Sequence, residues 1–420
     1  MRRRVLGLVL AGGRGQRLQP LTEYRSKPAV PFGGIYRLID FVLSNFVGSG
    51  VKSIYVLTQF KSQSLIEHLH RAWTGTHLLP GNFIIAVPAQ MQTPGEVWYQ
   101  GTADSVFQNL NLVRETKPDL VCVFGSDHIY FMDISQMLRA HVKSEADVTI
   151  AAIPRPKREA QQFGVVDADA SGRVVAFHEK VPDAPTIPGD PARCRVSMGN
   201  YVFNGAILEQ VLVEDAAAAD SSHDFGRDVL PGMVARGRRV FAYDFESNRV
   251  PGRPENQPNT YWRDVGTIDA YYEANLDLKD PVPQLDLYNR EWPVHTTASN
   301  SPPAKLVPDE RGRVAQVRRS ILGSGTVVSG GEVTDSVIGR NVRVLGGAKV
   351  EESIVMDGVV IEADCFVHRA ILDKDVRVAA GGRIGGDAAA DRRRGWTVTE
   401  SGITVVPKIA VVRPITNLDL

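Results

Sequence analysis

The feature that most constrains the fold is a glycine-rich stretch, AGGRGQRLQPLTEYRSKP at residues 11–28, which directly follows an apolar run. The run VLGLVL, residues 5–10, is typical of a buried first strand. Three glycines permit the positive φ angles and the close backbone approach that a bound phosphate chain requires. These glycines are Gly12, Gly13 and Gly15, and the cations that accompany them are Arg14, Arg17, Arg25 and Lys27. The stretch therefore predicts a strand followed by a loop that binds a triphosphate.

Two familiar phosphate-binding motifs are excluded by their spacing. Leu18 stands where a dinucleotide-binding loop would have its third glycine, and no Gly-Lys-Ser/Thr follows as in a Walker motif. The glycines alone are explained equally well by a tight turn between a strand and a helix. The cations beside them, above all Arg14, Arg17 and Lys27, favour the phosphate-binding interpretation.

The same stretch resembles a known family. GGRGQRL, PLT and KPAVPFGG closely resemble the signature of the sugar-1-phosphate nucleotidyltransferases, and YRLIDFVLSN resembles their ADP-glucose pyrophosphorylase branch. The resemblance extends through most of the chain. It implies a magnesium-dependent reaction of ATP with glucose 1-phosphate to give ADP-glucose and diphosphate, the committed step of bacterial glycogen synthesis. It also implies a homotetramer that is regulated by glycolytic metabolites.

Composition limits the partners and the compartment. Lys and Arg total 48 and Asp and Glu total 48, so no global field favours nucleic acid or a membrane as a partner. Cys122, Cys194 and Cys365 are odd in number and lack a CxxC pair, which favours a reducing compartment and argues against zinc. The start MRRRVLGLVLA imitates a signal peptide, but cleavage there would remove the first strand and the phosphate loop together. We therefore expect a cytoplasmic protein.

Residues 1–280 are predicted to form an α/β, Rossmann-like nucleotidyltransferase domain. Short apolar runs alternate with helical patterns, as in VKSIYVLTQF followed by KSQSLIEHLHRAW, which indicates a mostly parallel sheet. Ligands of such sheets bind beyond the carboxyl ends of the strands. The loop at Gly12, Asp127 and Lys180 all follow predicted strands, so we expect them to meet in one cleft. Residues 281–312 are proline-rich and polar, which predicts a connector that runs along the surface.

Residues 313–420 are predicted to form a short left-handed parallel β-helix that serves regulation or oligomerisation. A weak repeat, spaced 16 or 17 residues apart, recurs four times, which predicts about four coils. The repeat begins at Ser320, Ser336, Ser353 and Ala370, and the ladder residues include Val342, Val344 and Val350. A short solenoid is expected to pack against its own catalytic domain or against neighbouring subunits. The alternative is an irregular antiparallel β domain.

Joining ATP to a sugar phosphate requires a phosphate oxygen to attack the α-phosphorus while pyrophosphate leaves. Such a site needs cations and a magnesium ion held by carboxylates, and it needs little help from a protein base. Asp127 follows the apolar run at residues 120–124, and Asp264 lies in YWRDVGT; each alone is more often a turn or capping residue. Both segments resemble the family's magnesium-binding strings, although Ser126 alters the first. The resemblance implies that Asp127 and Asp264 bind Mg²⁺ and that Arg17 and Lys27 complete the catalytic group.

The remaining predicted site residues follow from the same resemblance. Lys180 and Glu179 lie in AFHEKV, which resembles the family's sugar-phosphate signature with Val181 in place of proline, whereas alone they would be a surface ion pair. The predicted glucose 1-phosphate group comprises Tyr99, Glu179, Lys180, Ser197 and Gly199. The predicted ATP group comprises Gly12, Gly13, Arg14, Gly15, Gln90 and Gly101. No metal role is expected of His128 or His223, because no second histidine or cysteine stands at ligand spacing.

Three alternatives are weighed against this prediction. One is a sugar-1-phosphate nucleotidyltransferase of another base specificity. Another is a uridylyltransferase with an acetyltransferase β-helix, in which His368 would be the base, although four coils are few for such a helix. The last is a regulatory subunit without catalysis, which the presence of every charged site residue disfavours.

Regulation is predicted at Tyr24 and Arg25. Relatives that are activated by fructose bisphosphate carry a lysine where this chain has Tyr24, so we expect a bisphosphate to bind weakly here. A monophosphate or a carboxylate remains a candidate effector through Arg25 and basic residues of the β-helix.

Overall fold

The computed structural model describes residues 3–73, 81–90, 98–254 and 259–414. The strands of the first domain are β1 (Val5–Ala11), β2 (Pro31–Phe32), β3 (Tyr36–Arg37), β4 (Ser53–Thr58), β5 (Phe83–Pro88), β6 (Leu120–Gly125), β7 (His128–Tyr130), β8 (Val148–Pro156), β9 (Gly164–Ala168), β10 (Val174–Glu179), β11 (Arg193–Asn204), β12 (Val240–Asp244) and β13 (Trp262–Asp264). The helices of this domain are α1 (Leu38–Gly48), α2 (Gln63–Trp73), α3 (Thr102–Phe107), α4 (Leu110–Thr116), α5 (Ile134–Lys143), α6 (Gly205–Ala216), α7 (Leu230–Ala235) and α8 (Ile268–Leu276).

A nine-stranded sheet forms the centre of the first domain. Its main order is β10-β9-β11-β6-β1-β4-β5. In addition, β8 pairs with β11, and β12 pairs with β8. All of these strands except β10 and β11 run in the same direction, which confirms the predicted mostly parallel sheet. β1 lies between β4 and β6, and Leu6, Leu8 and Val9 are almost completely buried. The apolar start of the chain is therefore a central strand.

Three connections at one edge of this sheet bring the predicted site residues together. The glycine loop follows β1, and a short 3₁₀ helix at Lys27–Ala29 follows the loop. Beyond β6, the buried Ser126 hydroxyl donates to the carbonyl of Leu10 at 2.6 Å, so the ends of β6 and β1 are tied together. β7 then pairs with β13 in an antiparallel ladder that sets Asp264 opposite His128. Asp127 and Asp264 are brought close by this small ladder.

The second domain is a parallel β-helix, as predicted, with three sheets of six, five and six strands. Its strands are β14 (Lys305–Val307), β15 (Gln316–Arg318), β16 (Ile321–Leu322), β17 (Val327–Ser329), β18 (Glu332–Thr334), β19 (Val337–Ile338), β20 (Arg343–Val344), β21 (Lys349–Glu351), β22 (Ile354–Val355), β23 (Val360–Ile361), β24 (Phe366–His368), β25 (Ala370–Leu372), β26 (Arg377–Val378), β27 (Arg383–Ile384), β28 (Thr397–Val398), β29 (Thr404–Val406) and β30 (Val411–Val412), with one helix, α9 (Ala388–Arg393).

The residues of the predicted repeat lie at the same corner, the turn between two strands, in successive coils, and they stack there in a column. The backbone N–H of Ser336 donates to the Ser320 hydroxyl at 3.0 Å, and that of Ser353 donates to the Ser336 hydroxyl at 3.0 Å. Ala370 continues the column by donating to Ser353 at 3.2 Å. The strands that follow stack in register, with Ile354 pairing with Ile371. The spacing of 16 or 17 residues is therefore one coil.

The β-helix is longer than the four coils that the repeat predicts. β14 precedes residue 313, where the sequence predicts that this domain begins, and it pairs with β17. At the other end, β26 pairs with β30, beyond the insertion that carries α9. The sequence repeat misses the terminal coils because their corners lack the serine column. Length therefore gives no argument against an acetyltransferase β-helix. His368 lies on β24, between β21 and β27, and its ring stacks on Phe366.

The connector packs closely against the first domain. Trp292 and Val294 are buried, and the Trp292 indole lies against Gly48 and donates to Asn45 Oδ1 at 3.2 Å. Asn45 also bonds the backbone of the two residues that flank Phe131: its Nδ2 donates to the carbonyl of Tyr130, and its Oδ1 accepts from the N–H of Met132. The connector is thus bonded to the helix that supports β7. Within the ranges described, no helix has the length and apolar character that crossing a membrane would need.

Candidate active site

Lys27 lies between the two carboxylates that the sequence predicts as metal ligands. Its Nζ is 2.8 Å from Asp127 Oδ2 and 3.4 Å from Asp264 Oδ1. The Lys27 side chain is only 9% exposed, whereas those of Asp127 and Asp264 are 38% and 23% exposed. The ammonium therefore approaches the carboxylates from the protein interior, and the carboxylates remain accessible to solvent.

Burial and charge oppose each other in this group. Burial alone would lower the pKa of the Lys27 ammonium, but the charges of Asp127 and Asp264 outweigh it and raise that pKa. Burial alone would raise the pKa of Asp127, but the Lys27 charge, with a smaller effect of His128, holds it well below its usual range. Lys27 and Asp127 are therefore ionised together at neutral pH.

The ligand atoms of Asp127, His128 and Asp264 all lie within 4.8 Å of one another. His128, to which the sequence assigns no metal role, is 3.5 Å from Asp127 Oδ1 through Nδ1, and this buried nitrogen makes no hydrogen bond. Two carboxylates suit a hard divalent cation, and an imidazole nitrogen is a third donor of a kind that Mg²⁺ seldom uses. The group therefore fits a divalent cation through its two carboxylates.

Aromatic packing fixes the second strand of this group. The Trp262 ring lies 4.8 Å from the His128 ring and 5.3 Å from the Phe163 ring, measured between centroids. The Arg155 guanidinium lies over the same indole at 5.4 Å and donates to the Trp262 carbonyl. Trp262 and Arg155 therefore hold β13, and with it Asp264, in place. No motif in the sequence singles out Arg155.

The glycine loop runs beside Lys27. Gly15 has φ 61°, and a Cβ atom there would lie 3.0 Å from Lys27 Cβ, so a larger residue would be strained in its backbone and crowded against Lys27. Arg17 reaches the segment after Asp264, since a Cβ atom at Gly266 would lie 3.0 Å from its guanidinium. Arg14 is exposed. The glycine loop, Arg17, Lys27 and the two carboxylates are therefore neighbours in space.

Tyr99 and Gly101 stand on the other side of the glycine loop. The N–H of Tyr99 donates to Gln59 Oε1 at 3.1 Å, and both side chains lie against Gly12. A side chain at Gly101 would collide with the carbonyl of His223, which accepts from the N–H groups of Ala103 and Asp104 at the start of α3. Packing is therefore sufficient reason for glycine at position 101, and its predicted contact with ATP remains a prediction.

The predicted sugar-phosphate pair lies at the end of β10. Lys180 Nζ is 2.6 Å from Glu179 Oε1, and Lys180 is half exposed while Glu179 is largely buried. Glu179 Oε2 faces two glycines, because Cβ atoms at Gly164 and Gly226 would lie 2.8 and 2.6 Å from it. Glu179 is therefore held by the segment that contains Gly226, while the Lys180 ammonium is free to turn toward an anion.

Ser197 and Gly199 form an irregularity in β11. The register of β11 against β8 shifts between Ser197 and Tyr201, and Gly199 has φ 70°. The N–H of Gly199 donates to Ser197 Oγ at 3.2 Å, and a Cβ atom at Gly199 would lie 3.8 Å from the His128 ring. This bulge therefore lies next to His128, which belongs to the group formed with Asp127 and Asp264.

The remaining predicted residues are more dispersed. Gln90 is exposed, two residues beyond the end of β5. Tyr24 is 65% exposed, but Arg25 is buried and pairs with Asp373 of the β-helix at 2.9 Å. Arg25 is therefore already bonded between the two domains, which the sequence did not anticipate.

Comparison with family models identifies both domains. The model described as nucleotidyl transferase matches residues 6–281, and the model described as GlmU-like C-terminal hexapeptide matches residues 302–406. The first match covers more than half of the chain. The chain therefore belongs to the nucleotidyl transferase family and is a nucleotidyltransferase.

Within this family, the chain groups with the glucose-1-phosphate adenylyltransferases. It is 50% identical over 411 residues to the protein of that name from Deinococcus radiodurans, and the alignment covers 97% of this chain and 99% of the relative. It is 50% identical over 407 residues to that of Thermus thermophilus, with 96% and 98% covered. Glucose-1-phosphate adenylyltransferase 1 of Vibrio parahaemolyticus is 48% identical over 408 residues, with 97% and 99% covered.

Proposed function

We propose that this enzyme converts ATP and α-D-glucose 1-phosphate into ADP-glucose and diphosphate. The observation that carries the proposal is the position of Lys27, whose ammonium lies between Asp127 and Asp264 and whose stem lies against the glycine loop at Gly15. Cation, carboxylates and phosphate loop are the parts that nucleotidyl transfer requires. The printed names of the relatives supply the identity of the substrates.

The reaction forms one bond and breaks one. A phosphate oxygen of glucose 1-phosphate attacks the α-phosphorus, and the bond from that phosphorus to the bridging oxygen of pyrophosphate breaks, with its electron pair leaving on pyrophosphate. The attacking oxygen is already ionised, so no protein base is needed. Arg17 and Lys27 bind and neutralise the phosphates, which is where charge accumulates. The glycine loop supplies backbone N–H groups to the same chain of phosphates.

Asp127 and Asp264 would hold Mg²⁺. When bound, this ion neutralises the triphosphate and draws charge from the leaving pyrophosphate. The two carboxylates are partly exposed to solvent, so an ion can reach them, which supports this role. Trp262 orients β13 so that the Asp264 carboxylate stays on the same side as Asp127.

Glucose 1-phosphate would bind between β10 and the bulge of β11. Lys180 would pair with the sugar phosphate, and Glu179 would accept hydrogen bonds from glucose hydroxyls. Ser197, Gly199 and Tyr99 would line the same pocket, and Gln90 would contact the adenine base. The Lys180 ammonium is half exposed and pairs with the neighbouring Glu179 carboxylate at 2.6 Å, so an anion can reach it, which supports its role as an anion ligand.

Regulation, assembly and location belong to the same proposal. We propose a cytoplasmic homotetramer whose product serves the synthesis of glycogen or another α-glucan, and the three free, buried cysteines support a reducing compartment. A glycolytic monophosphate or a carboxylate would bind near Tyr24, beside the Arg25–Asp373 ion pair and without replacing it. Burial lowers the pKa of Lys374 against the opposing charge of Asp357, and the charges of Arg37 and Arg25 add to the lowering, so cations of both domains lie near one another at this contact.

The test is a panel of substrates. Diphosphate release is measured with glucose 1-phosphate and each of ATP, UTP, GTP and dTTP, with and without EDTA, and then with fructose 6-phosphate, pyruvate and fructose 1,6-bisphosphate as effectors. We expect a clear preference for ATP, dependence on Mg²⁺, and at least fivefold activation by a monophosphate or carboxylate. A preference for another base would overturn the assignment. Fructose 1,6-bisphosphate as the strongest activator would overturn the role given to Tyr24.

A further inference from the structure

The lysine of the active site occupies the place that a metal ion would be expected to take. Lys27 Nζ contacts one oxygen of Asp127 and one of Asp264, at 2.8 and 3.4 Å. These carboxylates belong to the group whose ligand atoms lie within 4.8 Å of one another. Two carboxylates at this separation repel each other unless a cation lies between them. In this structure the cation is an ammonium group.

The ammonium and a divalent cation compete for the same two carboxylates. The three charges of Lys27, Asp127 and Asp264 sum to one negative charge, so the group still attracts a cation. A divalent ion bound to both carboxylates would reverse the local charge and repel the Lys27 ammonium. The ion can approach from the cleft, since both carboxylates are partly exposed, whereas Lys27 approaches from the interior and is 9% exposed.

Lys27 has another anion within reach once it leaves the carboxylates. Its Cβ lies against Gly15, where an added Cβ atom would be 3.0 Å away, so its stem begins at the wall of the phosphate loop. A lysine ammonium ends a flexible stem of four carbons and donates in three directions. It can therefore turn from the carboxylates toward a phosphate without movement of the backbone.

We propose that Lys27 is a place-holder for the divalent cation: it neutralises Asp127 and Asp264 in the free enzyme, and metal binding releases it toward the phosphates. The inference rests on the proposed function, because it takes the two carboxylates as the metal ligands. Its consequence is that the metal and the catalytic lysine enter their working positions in one coupled exchange. Lys27 thus has a positioning role in the free enzyme and a substrate-binding role afterwards.

The first test measures Mn²⁺ binding by electron paramagnetic resonance, without nucleotide. Lys27→Met keeps the length of the side chain and removes its charge, and we expect it to bind Mn²⁺ at least tenfold more tightly than wild type, although it should be a poor catalyst. Lys61→Met is the matched control, because the Lys61 ammonium bonds the carbonyls of Thr22 and Glu23 and, within the described residues, no carboxylate; it should bind Mn²⁺ as wild type does. Asp127→Asn should lose most of the binding.

The second test asks whether Lys27 moves. Full-length wild-type enzyme is reductively methylated with and without saturating Mg²⁺, and the extent of labelling at Lys27 is read by mass spectrometry. We expect Mg²⁺ to increase labelling of Lys27 several-fold and to leave Lys61 unchanged. In Asp127→Asn the effect of Mg²⁺ should disappear.

The outcomes separate this inference from the proposed function. The place-holder proposal would be overturned if Lys27→Met and wild type bound Mn²⁺ with equal affinity. It would also be overturned if Lys27→Met bound Mn²⁺ more tightly but Mg²⁺ did not change the labelling of Lys27 in wild type. An enzyme that turns over ATP but binds no Mn²⁺ without nucleotide would also overturn it, and the proposed function would stand. If Lys27→Met folds only when Mn²⁺ is present, the metal has replaced the missing cation and the inference is supported; a failure to fold that Mn²⁺ does not correct counts against it.

Discussion

Arg25 and Lys27, two residues apart, each form a buried ion pair, but with opposite surroundings. Arg25 bonds Asp373 of the β-helix at 2.9 Å, and the two side chains are 6% and 2% exposed. Lys27 is equally buried, yet its partners Asp127 and Asp264 are 38% and 23% exposed. The first pair is closed on both sides, and the second is open on the side of the carboxylates.

The difference separates a contact that holds the domains together from one that can be exchanged. A pair buried on both sides has no ligand that could replace either partner, and its loss leaves a charge without solvent. A pair that is open on one side keeps its charges in place and leaves them available to a substrate or ion. The short segment between the phosphate loop and β2 thus joins the β-helix to the active site through two neighbouring cations.

The largest effect is expected from breaking the closed pair. Arg25→Ala leaves the buried Asp373 carboxylate without its cationic partner, with the N–H of Lys374 still donating to it, so it should lower the free energy of unfolding by about 3–5 kcal/mol. Urea denaturation measures the change. The double variant Arg25→Met with Asp373→Leu removes both charges and should regain most of the loss. A loss below 1 kcal/mol for Arg25→Ala would mean that the contact is not closed as described.

Breaking the open pair should affect catalysis more than stability. Asp127→Asn should lower kcat by about a hundredfold or more, because it removes charge that stabilises the transition state. Its free energy of unfolding should change less than that of Arg25→Ala, because Asp264 still pairs with Lys27. Steady-state kinetics and urea denaturation are compared on the same preparations. Asp183→Asn, an exposed carboxylate paired with Lys157, is the control and should leave kcat unchanged.

The third ion pair, Glu179–Lys180, is the most exposed of those in the cleft. Lys180→Ala should raise KM for glucose 1-phosphate about tenfold or more and change kcat little, because a charge-assisted hydrogen bond to the sugar phosphate is lost. Lys157→Ala, a lysine in a comparable exposed pair, should change neither constant. Equal losses of affinity for ATP and glucose 1-phosphate in Lys180→Ala would argue against the sugar-phosphate role.

A buried group without an ionic partner should give the smallest effect. His141 bonds Thr149 Oγ1 at 2.8 Å, and burial lowers its pKa below the ordinary value of 6.5. Below pH 6.5 His141 therefore becomes protonated in the unfolded chain but not in the folded protein. As the pH is lowered, the free energy of unfolding should decrease by up to about 1.4 kcal/mol per pH unit. His141→Gln should flatten the pH dependence of the free energy of unfolding between pH 6.5 and 5. An unchanged slope would refute the assignment.

Much of the fold could be predicted because it depends on periodic patterns. The spacing from Ser320 to Ser336 is one coil, and the apolar run before Gly12 is a central strand. The terminal coils escaped because their corners lack the serine column. The burial of the connector could not be predicted either, because Trp292 contacts Asn45 and Gly48, which are far from it in the sequence.

The parts of the site that depend on side-chain chemistry could be predicted from the sequence. The parts that depend on backbone groups could not. Lys27, Asp127 and Asp264 are found by residue type and motif, and the structure brings them into contact. The contact of His223 with Gly101 is made by a carbonyl group, which every residue has, so no residue type indicates it. The pairing of Arg25 with Asp373 spans 348 positions and depends on how the domains meet. The individual roles of the site residues stay predictions.

The central claim is that the two neighbouring ion pairs differ in whether a ligand can replace them. The most direct measurement is a crystal structure of the enzyme with Mn²⁺ and a non-hydrolysable ATP analogue, with the metal located by anomalous scattering. The account predicts Mn²⁺ bonded to Asp127 and Asp264, the Lys27 ammonium moved onto the phosphates, and Arg25 still paired with Asp373. A metal bound elsewhere, with Lys27 unmoved between the carboxylates, would contradict it.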